Sequence, residues 1–162
     1  MTRLIEPLTV IEIAYITEID PYMIKDSFIL NAEIQYIKPA LGVLLYEDVL
    51  LHFATGKYTS LINDYIKPCL AYFIKAAMLN QMLIETSQYT TGSDPTLAQS
   101  LVDVSTAVLI PTNHRRDMVN DVYRTAFYKL ELLTAYLAVN TSTYPLYTAP
   151  VATMVAGFRI SS

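Results

Sequence analysis

The residues that could do chemistry in this chain of 162 are few and scattered. His52 and His114 are the possible bases or metal ligands, Cys69 the possible nucleophile, and His114-Arg115-Arg116 the possible anion site. A histidine serves as base or ligand when a carboxylate orients its ring or a second ligand shares the ion, so both histidines would have to meet carboxylates in one cleft. Nothing in their spacing requires that. The sequence contains no HExxH, CxxC, GxSxG or phosphate-loop pattern, and four scattered glycines leave little material for a phosphate cradle. Cys69 lies among apolar residues, which suits a buried, inert thiol rather than an activated thiolate. The basic group at 114–116 is offset by Asp117 and Asp121 and reads as a solvated helix start with local ion pairs. These residues point to no catalytic, metal or cofactor site, and the chain reads as a non-enzyme.

Composition narrows the class further. Hydrophobic residues make up 53% of the chain and charged residues 16%, with a mean hydropathy of +0.34. That is greasy for a soluble monomer and suggests apolar surface reserved for a partner. Thirteen tyrosines and no tryptophan add to this, because Tyr is semi-rigid, amphipathic and enriched at interfaces. A net charge of −4 without a Lys/Arg cluster argues against general nucleic-acid binding. One cysteine excludes an internal disulfide. The N-terminal twenty residues have acidic breaks in their apolar run and do not form a signal peptide. Residues 132–158 are free of charge and long enough to span a bilayer, but Pro145 and Pro150 would leave backbone groups unpaired in lipid, so no membrane role is expected.

The element that must organise the rest is the stretch from Tyr58 to Glu85. Ile62, Ile66, Leu70, Phe73, Ala77 and Leu83 make one apolar stripe, and Leu61, Tyr65, Cys69, Tyr72, Ala76, Leu79 and Ile84 widen it, so this helix must be contacted on more than one side. Pro68 should kink it or split it. Ahead of it, Leu8–Ile16 alternates loosely and suggests a short strand or extended arm. Asp20 and Pro21 cap and open a helix over Pro21–Ile37, with Ile24, Phe28, Ile34 and Ile37 inward and Glu33 mostly outside. Pro39 ends or bends it, and Leu41-Gly42 makes the corner. A second helix over Val43–Phe53 places Leu44, Leu45, Val49 and Leu50 inward, and Gly56 stops it.

Beyond Glu85 comes a short irregular or β insertion around 88–111, where Gly92 and Pro95 disfavour helix and β-branched content rises. The last helix runs Thr112–Val139, with Val119, Val122, Tyr123, Ala126, Leu130, Leu133 and Leu137 on its core face and Asn140 as a left-handed stop. No internal repeat is evident. The expected fold is mainly α: a small bundle of about four helices over 21–140, an N-terminal arm over 1–20 and an extended tail over 141–162. Tyr144, Pro145, Tyr147, Met154 and Phe158 are the candidate interface residues in that tail, since its prolines and threonines prevent a helix that could fold them back as one stripe.

Two stretches carry a resemblance. The run TEIDPYMIKDSFILNAEIQYIKPALGVLLYEDVLLHF (Thr17–Phe53) combines a capped helix start, a helix ending in YIKPALG and a short helix after LYEDVL. The run HRRDMVNDVYRTAFYKLELLTAYLAVNTSTYPLY (His114–Tyr147) is a long helix closing on Tyr136-Leu-Ala-Val-Asn140, followed by Tyr144-Pro145-Leu146-Tyr147. Together they resemble the small helical head–tail connector (adaptor) proteins of tailed bacteriophages, in particular a Bacteroides-phage branch that includes the crAss-like phages. The first sixteen residues, the segment 92–111 and the tail after Ala149 do not match that pattern. The resemblance implies a structural virion protein made in the host bacterial cytoplasm. It would form a homo-oligomeric ring, commonly a dodecamer, between the portal protein and the next tail or ring protein around the DNA channel. A helical protein-interaction or regulatory module without catalytic activity is the alternative that the residues themselves leave open.

Overall fold

The computed structural model describes residues 3–15, 19–90 and 112–150, and of 82–90 and 112–115 it describes the backbone alone. The fold is mainly α. Its helices are α1 (Pro7–Ala14), α2 (Asp26–Leu41), α3 (Val43–Leu51), α4 (residues 59–90) and α5 (Thr112–Val139). No strand occurs among the described residues. The 91–111 part of the expected insertion lies outside them, while residues 88–90 extend α4.

Helix α4 is the central element and packs against α1, α2 and α5. The width of its apolar face is the cause: Ile66, Cys69, Leu70, Ala71, Phe73, Ile74 and Ala76 are all buried, and together they cover more than half of the helix circumference. An aromatic cluster joins three helices at its middle. Phe73 stacks on Tyr36 of α2 (centroids 3.7 Å apart, planes 3° from parallel) and meets Phe127 of α5 edge-on at 5.2 Å. Cys69 is buried beside it, 3.8 Å from the Ala126 carbonyl, and burial pushes its thiol pKa up to about 12, consistent with the inert thiol expected.

The prolines neither end nor split their helices. Lys38 N–H bonds to Glu33 O and Lys67 N–H bonds to Ile62 O, each five residues back, so a π-turn precedes Pro39 and another precedes Pro68. Widening the helix by one residue moves the carbonyl that the ring would otherwise strike, and the helix continues. The same local sequence does this twice: Tyr36-Ile37-Lys38-Pro39-Ala40-Leu41 and Tyr65-Ile66-Lys67-Pro68-Cys69-Leu70 share Tyr-Ile-Lys-Pro and the final Leu. Ile37 and Ile66, Ala40 and Cys69, Leu41 and Leu70 are buried in both copies. This is a short internal repeat that the sequence reading passed over. The copies diverge at the next residue, where Gly42 (φ +77°) turns the chain by 117° into α3 and Ala71 lets α4 run on.

The N-terminal arm is corrected. Pro7–Ala14 is helical, and Leu4, Ile5, Val10 and Ala14 enter the core. Pro7 is preset for a first turn, but a helix of eight residues is marginal alone, and contact with α4 decides its state. Lys75 of α4 donates to the Ala14 carbonyl (2.6 Å) and lies 4.8 Å from the centre of the Tyr15 ring, closing the C-terminus of α1 with a cation. Burial lowers the Lys75 pKa.

Glu33 is the second correction. It is only 2% exposed, where its Oε1 accepts the Leu4 N–H (2.9 Å) and its Oε2 the Tyr46 hydroxyl (3.3 Å), tying the N-terminal segment to α2 and α3. Desolvation raises its pKa, against the lowering effect of those hydrogen bonds. The other registers shift in detail. Asp20 does cap Pro21 through the Tyr22 N–H (2.9 Å), but the helix it opens is one 3-10 turn, Pro21–Met23, and the α-helix starts at Asp26 because Ile24 takes an extended backbone that puts its side chain in the core. Ile34 and Leu44, expected inward, are exposed.

Candidate functional site

The expected interface residues can now be placed. Helix α5 ends at Asn140 without a left-handed residue: the Asn140 N–H and side-chain Nδ2 both bond the Tyr136 carbonyl (3.1 and 2.8 Å), so a side chain does the work that a positive φ would have done. The Tyr144 N–H bonds the Asn140 carbonyl (3.0 Å) and the Tyr147 N–H bonds the Tyr144 carbonyl (2.9 Å). Tyr144-Pro145-Leu146-Tyr147 is therefore a β-turn with proline at its second position, the place for which the fixed φ of proline is suited.

The turn carries Tyr144 back onto its own chain. The ring is 6% exposed, tilted between Tyr58 (centroids 6.1 Å) and Tyr136 (5.9 Å), with its hydroxyl 3.4 Å from that of Tyr136. Tyr136 in turn stacks on Tyr65 of α4 at 4.2 Å. Burial, and then the contact with Tyr136, raises the Tyr144 pKa. Asp48 holds the base of this cluster: Lys57 Nζ (2.8 Å) and the Tyr58 hydroxyl donate to its Oδ2, and His52 Nδ1 lies 3.1 Å from its Oδ1. The bonds from Lys57 and Tyr58 keep its carboxyl below the ordinary value. Thr148 then rests on Gly42, so close that a Cβ there would collide with its hydroxyl. The segment 144–148 is a strap that ties the end of α5 to the α2–α3 corner.

Tyr144 and Tyr147 are thus engaged on their own chain, whereas Pro145 and Leu146 are exposed. Met154 and Phe158 lie outside the described residues, as does the rest of the tail after Pro150. The histidines are not shown to meet: His52 belongs to the Asp48 cluster, and His114 has only its backbone described, in the first turn of α5. Among the described residues no group of three His, Cys, Asp or Glu could hold a metal ion, and every buried side-chain polar atom has a partner. No single described helix is long and apolar enough to cross a membrane.

What remains for a partner is apolar surface that the sequence reading did not single out. Helix α3 exposes Val43, Leu44 and Leu51, with Glu47 between them. Helix α5 exposes Met118, Tyr128, Leu132 and Val139, with Ala135 in the same stripe. The periodicity of α5 held the signal, since Tyr128, Leu132, Ala135 and Val139 recur at steps of four, three and four, a second apolar seam beside the core register. In α3 seven of the nine residues are hydrophobic, and Glu47 is the one exposed polar residue that marks the outer face. The stretch from the end of α2 through the strap is where the family assignment falls. The chain belongs to DUF6712, a family of unknown function, whose profile matches residues 37–155. No curated protein and no solved structure matches it. The DUF6712 region contains α3, the α2–α3 corner, α5 and the strap, and leaves α1 and most of α2 outside.

Proposed function

We propose that this DUF6712 protein is a non-catalytic structural component of a tailed-phage virion, a ring subunit that joins the capsid portal to the tail. The observation that carries the proposal is the resemblance of Thr17–Phe53 and His114–Tyr147 to head–tail connector proteins. Those two stretches are distant in sequence but neighbours in space, because the C-terminal turn of α2 packs on α5 and the strap closes over Gly42. A motif pair that also forms one packed unit is harder to imitate by chance than two separate helix endings. The helices packed around α4 and the exposed apolar faces of α3 and α5 suit a permanent side-by-side contact, which is more hydrophobic than a transient one. A ring contact is heterologous, so the surface given and the surface received differ. The acidic balance of the chain suits a channel wall that must not retain DNA.

The test is the mass of the purified protein in native mass spectrometry, alone and mixed with the portal protein of the same phage. A closed oligomer, or a stoichiometric complex with the portal, is the expected result. A monomer or dimer that ignores the portal would favour the interaction-module reading instead.

A further inference from the structure

We propose that residues 3–15 act as a pH-sensitive latch, which docks on and leaves the rest of the fold as one unit, with Glu33 as its catch. The latch is independent of the ring reading. Its helix, α1, has eight residues and is too short to persist unless it is docked. The inward side is Leu4, Ile5, Val10 and Ala14, all buried, and the outward side is Glu6, Leu8 and Glu12, all exposed. The polar attachments stand at the two ends. At the start, the Leu4 N–H donates to Glu33 Oε1 (2.9 Å) and Arg3 pairs with Asp26. At the finish, Lys75 Nζ donates to the Ala14 carbonyl (2.6 Å) and the Tyr15 hydroxyl to Met78 Sδ (3.6 Å). A carboxyl group at one end and an ammonium at the other follow the direction of the helix dipole, so the seat accepts α1 in one polarity.

Glu33 makes the latch responsive. It is the one buried charged residue among the described residues, covered by the N-terminal segment and by Tyr46 of α3, whose hydroxyl donates to Oε2. Helix α3 is held by the chain at both ends and sends Leu45, Tyr46 and Val49 into the core, whereas the N-terminal segment is held by the chain at one end only. The segment is therefore the cover that lifts when the carboxylate needs water. The surrounding charges do not remove that need. Arg3 is shared with Asp26 of α2 and has the smallest effect on Glu33, Lys38 lies 5.7 Å from the Tyr46 ring, and Lys75 stands at the far end of α1, a helix about 12 Å long. Desolvation raises the Glu33 pKa while the latch is closed, and release returns it toward the ordinary 4.5. As pH rises from that value the open form loses its proton first, so the ratio of closed to open falls by up to about tenfold per pH unit until the raised value is passed.

Hydrogen exchange of the full-length chain tests this, read by mass spectrometry on peptides from residues 3–15 and from α4, and corrected at each pH for the intrinsic exchange rate. Protection of 3–15 should be about tenfold or more below that of α4. It should fall as pH rises from 4.5 and then level off. Glu33→Gln cannot ionise and should hold the protection of 3–15 constant within about threefold across the same range. Tyr46→Phe removes only a hydroxyl that favours the carboxylate, so the fold is kept and the fall should continue to a higher pH before it levels; this variant and the wild type decide the matter should Glu33→Gln fail to fold. Equal protection of 3–15 and α4 at every pH would show that the segment opens only with the whole fold. Wild-type protection of 3–15 that does not change with pH would show that Glu33 is not the catch. Either result overturns the latch, and neither bears on ring formation.

Discussion

Replacing Tyr144 by alanine separates a packing role from an interface role at the residue where the two readings diverge. A tyrosine buried to this degree removes about 150 Å² or more from water, worth about 4 kcal/mol at about 25 cal/mol per Å². Sequestering the hydroxyl, which keeps only the long 3.4 Å contact with Tyr136, takes back about 1 kcal/mol. The expected loss is therefore about 3 kcal/mol, a fall in melting temperature of about 6–12 °C for a chain of this size. Tyr144→Phe keeps the ring between Tyr58 and Tyr136 and should stay within about 1 kcal/mol of the wild type. Urea unfolding at a concentration below self-association, followed by far-UV circular dichroism, measures both. Deletion from 144, which removes the strap, should cost at least as much as Tyr144→Ala. A Tyr144→Ala protein with unchanged unfolding but abolished assembly would return Tyr144 to the interface and refute the packing argument.

Four further outcomes follow from the same geometry. Phe73→Ala should cost about 3–5 kcal/mol, because the ring is 1% exposed and central to the aromatic cluster; a change under about 1 kcal/mol in urea would mean the cluster is not formed. Gly42→Ala should destabilise by about 1 kcal/mol or more, since φ +77° and the hydroxyl of Thr148 both exclude a Cβ; a neutral effect would show that the strap does not close there. Glu33 binds its proton more tightly folded than unfolded, so its contribution is present at acid pH and is lost as pH climbs from the ordinary value of 4.5 through the raised folded one; Glu33→Gln should flatten that decline, and identical pH profiles for the two proteins would rule the linkage out. Tyr15, Tyr36 and Tyr46 are pushed up to about 12 by burial, so stability should fall as pH rises from 10, where unfolded tyrosines ionise, through 12; tyrosinate absorbance rising in the native protein near 10 for every tyrosine would contradict their burial.

Some of this protein was legible without coordinates because the governing forces are local. Thr112–Val139 is bounded as its periodicity predicts, Gly42 makes the expected corner because its φ is closed to other residues, and the buried face of α4 follows from having no polar stripe. Other features depend on what lies opposite. Pro39 and Pro68 announce a disruption, but only packing on both sides of the helix selects a π-turn over a break, and Gly42 against Ala71 then sends two copies of one motif to different ends. Pro7–Ala14 is too short to hold a helix by itself and becomes one against α4, with Lys75 at its end. Glu33 reads as a surface residue until Leu4 and Tyr46 supply its hydrogen bonds. The tyrosines show the limit most clearly: an amphipathic ring suits a core and an interface equally, so composition could place apolar surface on this protein but not locate it. Tyr144 goes inward between Tyr58 and Tyr136, while apolar residues of α3 and α5 stay outside because the other sides of those helices take the places in the core.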